Sequence, residues 1–233
     1  MKLVIGGSGG IGRGLLNTWS DQPRVGTYYS NPPSAEADAD IYWLPCDVRQ
    51  DGWAQDLLQT QDINAIDTVV LATGMLHRDH QQPEKSVRQF QRDWFLESMV
   101  LNASVFAELA AVLQGLLQRQ SALKLAVLSA KVGSISDNRL GGWHSYRASK
   151  AALNMLVTNV ALEWRLRFPA ATVVALHPGT TDSALSAPFQ KGLPEGQLHS
   201  SEQTGRALTD ILDTLTPQKS GQFISWDGTL LPW

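Results

Sequence analysis

Residues 2–12 read Lys2-Leu3-Val4-Ile5-Gly6-Gly7-Ser8-Gly9-Gly10-Ile11-Gly12. A short apolar, β-branched run passes directly into a glycine cluster, and a stretch with helical spacing follows over residues 11–19. Without side chains the backbone can turn sharply and present its N–H groups, and the N-terminus of the next helix, to a pyrophosphate. A flexible glycine turn has the same composition. The position of these glycines between a strand and a helix favours the nucleotide site.

Downstream of this unit the same alternation repeats. Strand patterns lie at residues 2–5, 24–29, 41–44, 67–71, 123–129, 171–177 and 221–225, and helix patterns at 11–19, 51–59, 87–118, 145–168 and 201–215. Strands separated by helix-length segments indicate crossover units and a parallel sheet. Val69-Val70-Leu71 and Thr172-Val173-Val174-Ala175-Leu176 are near-continuous apolar runs, as expected where helices cover both faces. The expected fold is therefore an α/β doubly wound parallel sheet of seven strands, in a single domain spanning residues 1–233. Two long segments, 130–144 and 179–198, follow strand ends, where ligands bind in such sheets.

Composition narrows the function classes. Lys plus Arg number 19 against 22 Asp plus Glu, a net charge of -3 without a clustered basic patch, so a nucleic-acid partner is not expected. No uninterrupted apolar run reaches the roughly 18 residues of a membrane span, and the N-terminus lacks a secretory pattern. A soluble, cytoplasmic protein without integral membrane association is expected. The lone Cys46 cannot form an internal disulfide and reads as packing. His77 and His80 are three apart, but zinc needs further convergent ligands, so no metal is expected.

Tyr146 and Lys150 stand four apart at the start of a helix pattern, in Tyr146-Arg147-Ala148-Ser149-Lys150. That spacing puts both on one face, where an ammonium can favour a phenolate and assist proton transfer through the hydroxyl. A surface Lys beside a packed Tyr has the same spacing.

With these residues the sequence resembles a classical short-chain dehydrogenase/reductase, more narrowly the C-factor or carbonyl-reductase-like branch. Gly6, Gly10 and Gly12 match the family's glycine fingerprint, in which Ser8 and Ile11 also lie. Asp47-Val48 matches the pair at the adenine end. Leu71-Ala72-Thr73-Gly74 stands in place of an Asn-Asn-Ala-Gly segment, keeping Ala72 and Gly74 without either asparagine. Asn102 matches the helix Asn that holds a relay water. The segment 146–154 matches the one carrying the active-site Tyr and Lys, and Pro178-Gly179 with Ser183 matches residues near the nicotinamide. The resemblance runs from residue 5 to residue 228. It implies a Rossmann-like fold and hydride transfer between a nicotinamide cofactor and a carbonyl or secondary alcohol. Tyr146 is then the proton donor, Lys150 its electrostatic partner and Asn102 the water holder.

One position departs from the family. The serine that steadies the substrate oxygen is commonly the second of a pair, which here reads Ser129-Ala130. A methyl group makes no hydrogen bond. Ser134, on a loop with freer direction, is expected to substitute ahead of Ser129; a site without any serine and with weak turnover is the third possibility. For the cofactor, residues 26–31 lack the acid that marks NAD specificity, and Ser30, Asn31 and Arg13 offer partners for a ribose phosphate, which favours NADP over NAD.

The resemblance further implies a homodimer or homotetramer. It also leaves an alternative function, a C-factor-like nucleotide-binding signalling protein with little turnover. Among the eight Trp, Trp143 is the expected pocket wall. The apolar end Leu230-Leu231-Pro232-Trp233 is expected to pack on its own chain or across an interface.

Overall fold

The alternation of short apolar runs and amphipathic helices resolves into three layers in a computed structural model, which describes residues 1–34, 40–78 and 80–233. The strands are β1 (Lys2–Ile5), β2 (Arg24–Tyr28), β3 (Tyr42–Pro45), β4 (Thr68–Leu71), β5 (Lys124–Leu128), β6 (Thr172–His177), β7 (Thr180–Thr181), β8 (Leu198–His199) and β9 (Phe223–Ser225). The helices are α1 (Gly10–Thr18), α2 (Trp53–Gln59), α3 (Arg92–Met99), α4 (Val105–Leu116), α5 (His144–Arg167) and α6 (Ser201–Asp213). Seven strands form one sheet in the order β3-β2-β1-β4-β5-β6-β9, every pairing parallel, and β7 pairs with β8 apart from it.

Side-chain alternation divides the strands between two cores. Leu3, Ile5, Val69, Leu71, Leu125, Val127, Val173 and Ala175 face α2, α4 and α5, where Trp53, Phe106, Leu109, Leu153, Val157 and Trp164 cover them. Val4, Val70, Ala126, Leu128, Val174 and Leu176 face α1 and α6 through Leu15, Leu16, Trp19, Leu208 and Leu212. Burial on both faces is why these strands read as unbroken apolar runs. On the second face α1 crosses α6 at backbone contact: a Cβ at Gly14 would sit 2.0 Å from the Ser201 carbonyl oxygen.

The expected helix over 87–118 is divided. A short 3₁₀ turn (Val87–Gln89) precedes α3, and a π turn (Val100–Ser104) joins α3 to α4. Such wide turns are frequently found at functional sites, and this one contains Asn102. Arg92–Leu116 as a whole is long and apolar enough to cross a membrane by length and composition. In this fold Trp94, Phe106, Leu109 and Leu113 along it are buried.

The C-terminal residues pack on their own chain. The Trp233 ring stacks on Phe223 at 5.3 Å, and its carbonyl oxygen accepts from Ser136 N (3.2 Å) and Oγ (2.8 Å).

Candidate active site

Strand order reverses on either side of β1, and the loops after β1 and β4 part there to leave a cleft. Two cavities, of about 400 and 320 Å³, share Gly9, Ala72, Thr73 and Gly74. Gly10, Ile11, Gly12, Tyr146, Lys150, Pro178 and Ser183 line the larger; Gly6, Ser8, Asp47 and Val48 line the smaller. The residues expected at a nucleotide site thus border these two adjoining cavities, with two exceptions. Gly179 turns the chain at φ +72° beside Trp226, outside that lining, and Asn102 lies behind it.

The glycine loop fits a dinucleotide. No side chain caps α1, so the backbone N–H groups of its first turn are open to a ligand. A Cβ at Gly12 would lie 2.4 Å from the Gly6 carbonyl oxygen, so only glycine lets the loop fold down onto the helix. At the far end a third cavity of about 360 Å³ shares Ser8 and Tyr29 with the smaller one and is bordered by Arg13, Ser30 and Asn31. Beside it Arg49 pairs with Asp47 through Nε–Oδ1 (2.8 Å) and Nη2–Oδ2 (3.0 Å), which holds the Asp47 carboxyl below its usual range. The Arg49 guanidinium also stacks on Tyr29 at 4.2 Å.

At the near end, α5 carries Tyr146 and Lys150 on one face. The Lys150 Nζ donates to the Leu128 carbonyl oxygen at the end of β5 (2.8 Å) and lies 5.8 Å from the Tyr146 ring centre. Burial pushes the Lys150 ammonium down from 10.5 to about 8. Burial also raises the Tyr146 phenol above its ordinary range, so the hydroxyl keeps its proton at neutral pH. The desolvation of both groups outweighs the mutual preference for a charged pair.

Asn102 holds this wall to the cleft floor. Its Oδ1 accepts from Met75 N (2.7 Å), and its Nδ2 donates to Met75 O (2.8 Å) and Ser149 Oγ (3.0 Å); Ser149 Oγ in turn donates to Tyr146 O (2.8 Å). A Cβ at Gly74 would lie 3.4 Å from Asn102 Oδ1 and 3.5 Å from Lys150 Nζ, so the missing side chain leaves a gap bordered by both.

Ser134 does not reach the cavity. Gly133 presses on Lys150, the next residue is buried behind it, and Ser134 Oγ accepts from Asp137 N (3.2 Å). Ser129 lines the cavity instead, its Oγ donating to Asn154 Oδ1 at 2.6 Å. The neighbouring Asn154 Nδ2 is buried without a hydrogen-bond partner. Rotating that amide by 180° would let Nδ2 donate to Ser129 Oγ and free the Ser129 proton for an oxygen in the cavity.

Sequence reading missed Met75, His77 and Leu185 on the lining. His77 bonds the Leu185 carbonyl oxygen at 3.2 Å, and its ring meets Phe189 at 5.7 Å. Trp143, expected as a pocket wall, meets Phe189 at 5.0 Å and Tyr146 at 6.2 Å. These residues come from loops with no periodic pattern to mark them.

A family model described as short chain dehydrogenase matches residues 1–193. The chain belongs to the short-chain dehydrogenase family. Members of that family are NAD(P)-dependent oxidoreductases, and the cleft of this short-chain dehydrogenase is bordered by Tyr146, Lys150 and the glycine loop. It is 38% identical over 110 residues to the 1-hydroxy-2-glutathionyl-2-methyl-3-butene dehydrogenase of Rhodococcus sp. (strain AD45), covering 47% of this chain and 46% of that one. It is 36% identical over 125 residues to the C-signal of Myxococcus xanthus, covering 53% and 69% respectively. The first of these matches thus spans less than half of the relative. Among solved structures, the carbonyl reductase Sniffer of D. melanogaster superposes with a TM-score of 0.83 at 20% identity, over 100% of this chain and 98% of that one.

Proposed function

We propose that this short-chain dehydrogenase transfers hydride reversibly between NADP and an uncharged carbonyl compound or the corresponding secondary alcohol. The observation that carries the reading is the meeting of Tyr146, Lys150 and the glycine loop in one cavity. Reduction adds a hydride to the carbonyl carbon and a proton to its oxygen. The nicotinamide cofactor supplies the hydride when bound.

Tyr146 donates the proton: its hydroxyl is kept protonated by burial, and the residue lines the cavity. Lys150, charged below about pH 8, stabilises the phenolate left behind. The gap at Gly74, between Asn102 and Lys150, is the path by which that proton is replaced from water. Ser129, oriented by Asn154, steadies the substrate oxygen in place of the missing serine at Ala130. Ser134 is the alternative hydroxyl and requires its loop to turn from the interior toward the cavity.

Among the described residues lining the larger cavity, Lys150 supplies the one formal charge, and its commitment to the Leu128 carbonyl oxygen and to Tyr146 leaves it no part in holding a charged substrate, which supports an uncharged one. NADP is favoured over NAD because, among the described residues, Arg13, Ser30 and Asn31 border the end cavity without an acid. The proposed protein is cytoplasmic, where it would draw on the nicotinamide pool. Exposed Leu96, Val100, Met155, Leu162 and Leu166 on α3, the π turn and α5 support a homodimer or homotetramer, which light scattering in solution checks.

The C-signal likeness brings a signalling role to mind, but the intact set of Asn102, Tyr146 and Lys150 favours turnover. The test is Tyr146→Phe, which deletes the hydroxyl and retains the ring. On a carbonyl substrate found by panel screening, kcat should fall by about 10²- to 10⁴-fold with NADPH affinity retained. Near-normal kcat would overturn the reading.

A further inference from the structure

Helix α5 begins without a cap of its own. Residues that precede helices usually carry a short oxygen-bearing side chain that accepts from the first free N–H groups. Here that residue is Trp143, which has no acceptor and sits in the left-handed region at φ 50°, ψ 44°, an uncommon conformation for a bulky side chain. Tyr146 lies in the first turn of this helix, so the setting of that turn is the setting of the phenol.

The missing acceptor comes from Glu84, 61 residues upstream in sequence and 2% exposed. Its Oε1 and Oε2 accept from Ser145 N at 3.3 and 3.2 Å, and the Ser145 hydroxyl donates to Oε1. The Glu84 carbonyl oxygen accepts from Trp143 N at 2.5 Å. Side chain and main chain of one residue therefore hold both Trp143 and Ser145. A carboxylate at a helix N-terminus is also favoured by the helix dipole.

Glu84 belongs to the segment between β4 and α3 that supplies Met75 and His77 to the cavity. On the other side of the first turn, Asn102 bonds both Met75 and Ser149, and Ser149 bonds Tyr146 O. The turn carrying Tyr146 is thus tied at two points to the chain that forms the cleft floor.

We propose that Glu84 is a positioning residue for Tyr146, its buried carboxylate acting as the cap of α5 and fixing the phenol relative to the cleft floor. This rests on the reading of Tyr146 as proton donor. An error of about 1 Å in such a placement can cost on the order of 10²-fold in rate, whereas a cap that only stabilised the helix would leave turnover alone.

The test compares Glu84→Ala, Glu84→Gln and Ser145→Ala in the full chain, with NADPH and a carbonyl substrate accepted by the parent. Glu84→Ala should lower kcat by about tenfold or more with KM and NADPH affinity within about twofold of the parent. Glu84→Gln keeps an oxygen that accepts from Ser145 N and should recover most of the loss. Ser145→Ala, which removes one donor and serves if Glu84→Ala does not fold, should give a smaller loss of kcat. A kcat within twofold of the parent in Glu84→Ala, a loss confined to KM, or no recovery with Gln would overturn the proposal.

Amide hydrogen exchange at Ser145 and Tyr146 requires no substrate and should accelerate at least tenfold in Glu84→Ala; unchanged exchange would remove the cap itself. Failure of the Tyr146 reading is seen separately, as a fully active Tyr146→Phe variant with normal exchange.

Discussion

Replacing Lys150 by Met removes a buried charge and keeps most of the side-chain volume. Lys150 is 3% exposed, and its fall from 10.5 to about 8 corresponds to a burial cost on the order of 3 kcal/mol carried by the ammonium at neutral pH. Against this gain, the variant leaves the Leu128 carbonyl oxygen without its Nζ donor, which returns about 1–3 kcal/mol. At pH 7 Lys150→Met should therefore be inactive yet between equal to the parent and about 2 kcal/mol more stable, at about 2–4 °C in Tm per kcal/mol for a chain of this size. The pH signature separates this cause from better packing. Below pH 8 folded and unfolded chains both carry the proton and the full cost is present. Between about 8 and 10.5 the unfolded chain binds the proton and the folded one does not, so parent stability rises with pH. Above that window the cost is gone. Thermal melts of both proteins at pH 7 and pH 10.5 should show the advantage of the variant shrinking or reversing. A difference in stability that is the same at both pH values would refute the reasoning.

In the reductive direction, kcat/KM should hold steady up to about pH 8 and fall above it as Lys150 loses its proton, read from a pH profile on one carbonyl substrate. Gly14→Ala should destabilise the fold by about 3 kcal/mol or more, because the new Cβ meets the Ser201 carbonyl oxygen of α6 and backbone cannot move aside as a side chain can; a chemical denaturation curve measures it. Ser129→Ala should reduce kcat/KM more than Ser134→Ala does, and Ala130→Ser should raise it; a fully active Ser129→Ala with an impaired Ser134→Ala would restore the expectation from sequence. Arg13→Ala should weaken NADPH binding by about tenfold and NADH binding little, as titration calorimetry at matched salt would show.

The fold was legible because its signals are local. Glycines at 6, 10 and 12 can be recognised without knowing what surrounds them, and apolar runs such as Val69-Val70-Leu71 announce a strand covered on both sides. The spacing of Tyr146 and Lys150 is likewise a property of one helix. Chain order and turn chemistry suffice for these.

The remainder depended on distant groups meeting. Freedom on a loop points to Ser134, yet Gly133 packs on Lys150 and Ser134 is buried, leaving Ser129 at the cavity. The long apolar pattern over 87–118 gave no sign of the π turn around Asn102, whose amide is bonded to Met75 and Ser149 from other segments. Glu84 carries no motif, and the need for it arises only where Trp143 begins α5 without an acceptor. Periodicity and glycine content act within a few residues and can be read from the chain. The direction of a side chain, the desolvation of Tyr146 and Lys150 and the partner of a free N–H are set by whatever packs against them, and only the assembled layers determine that.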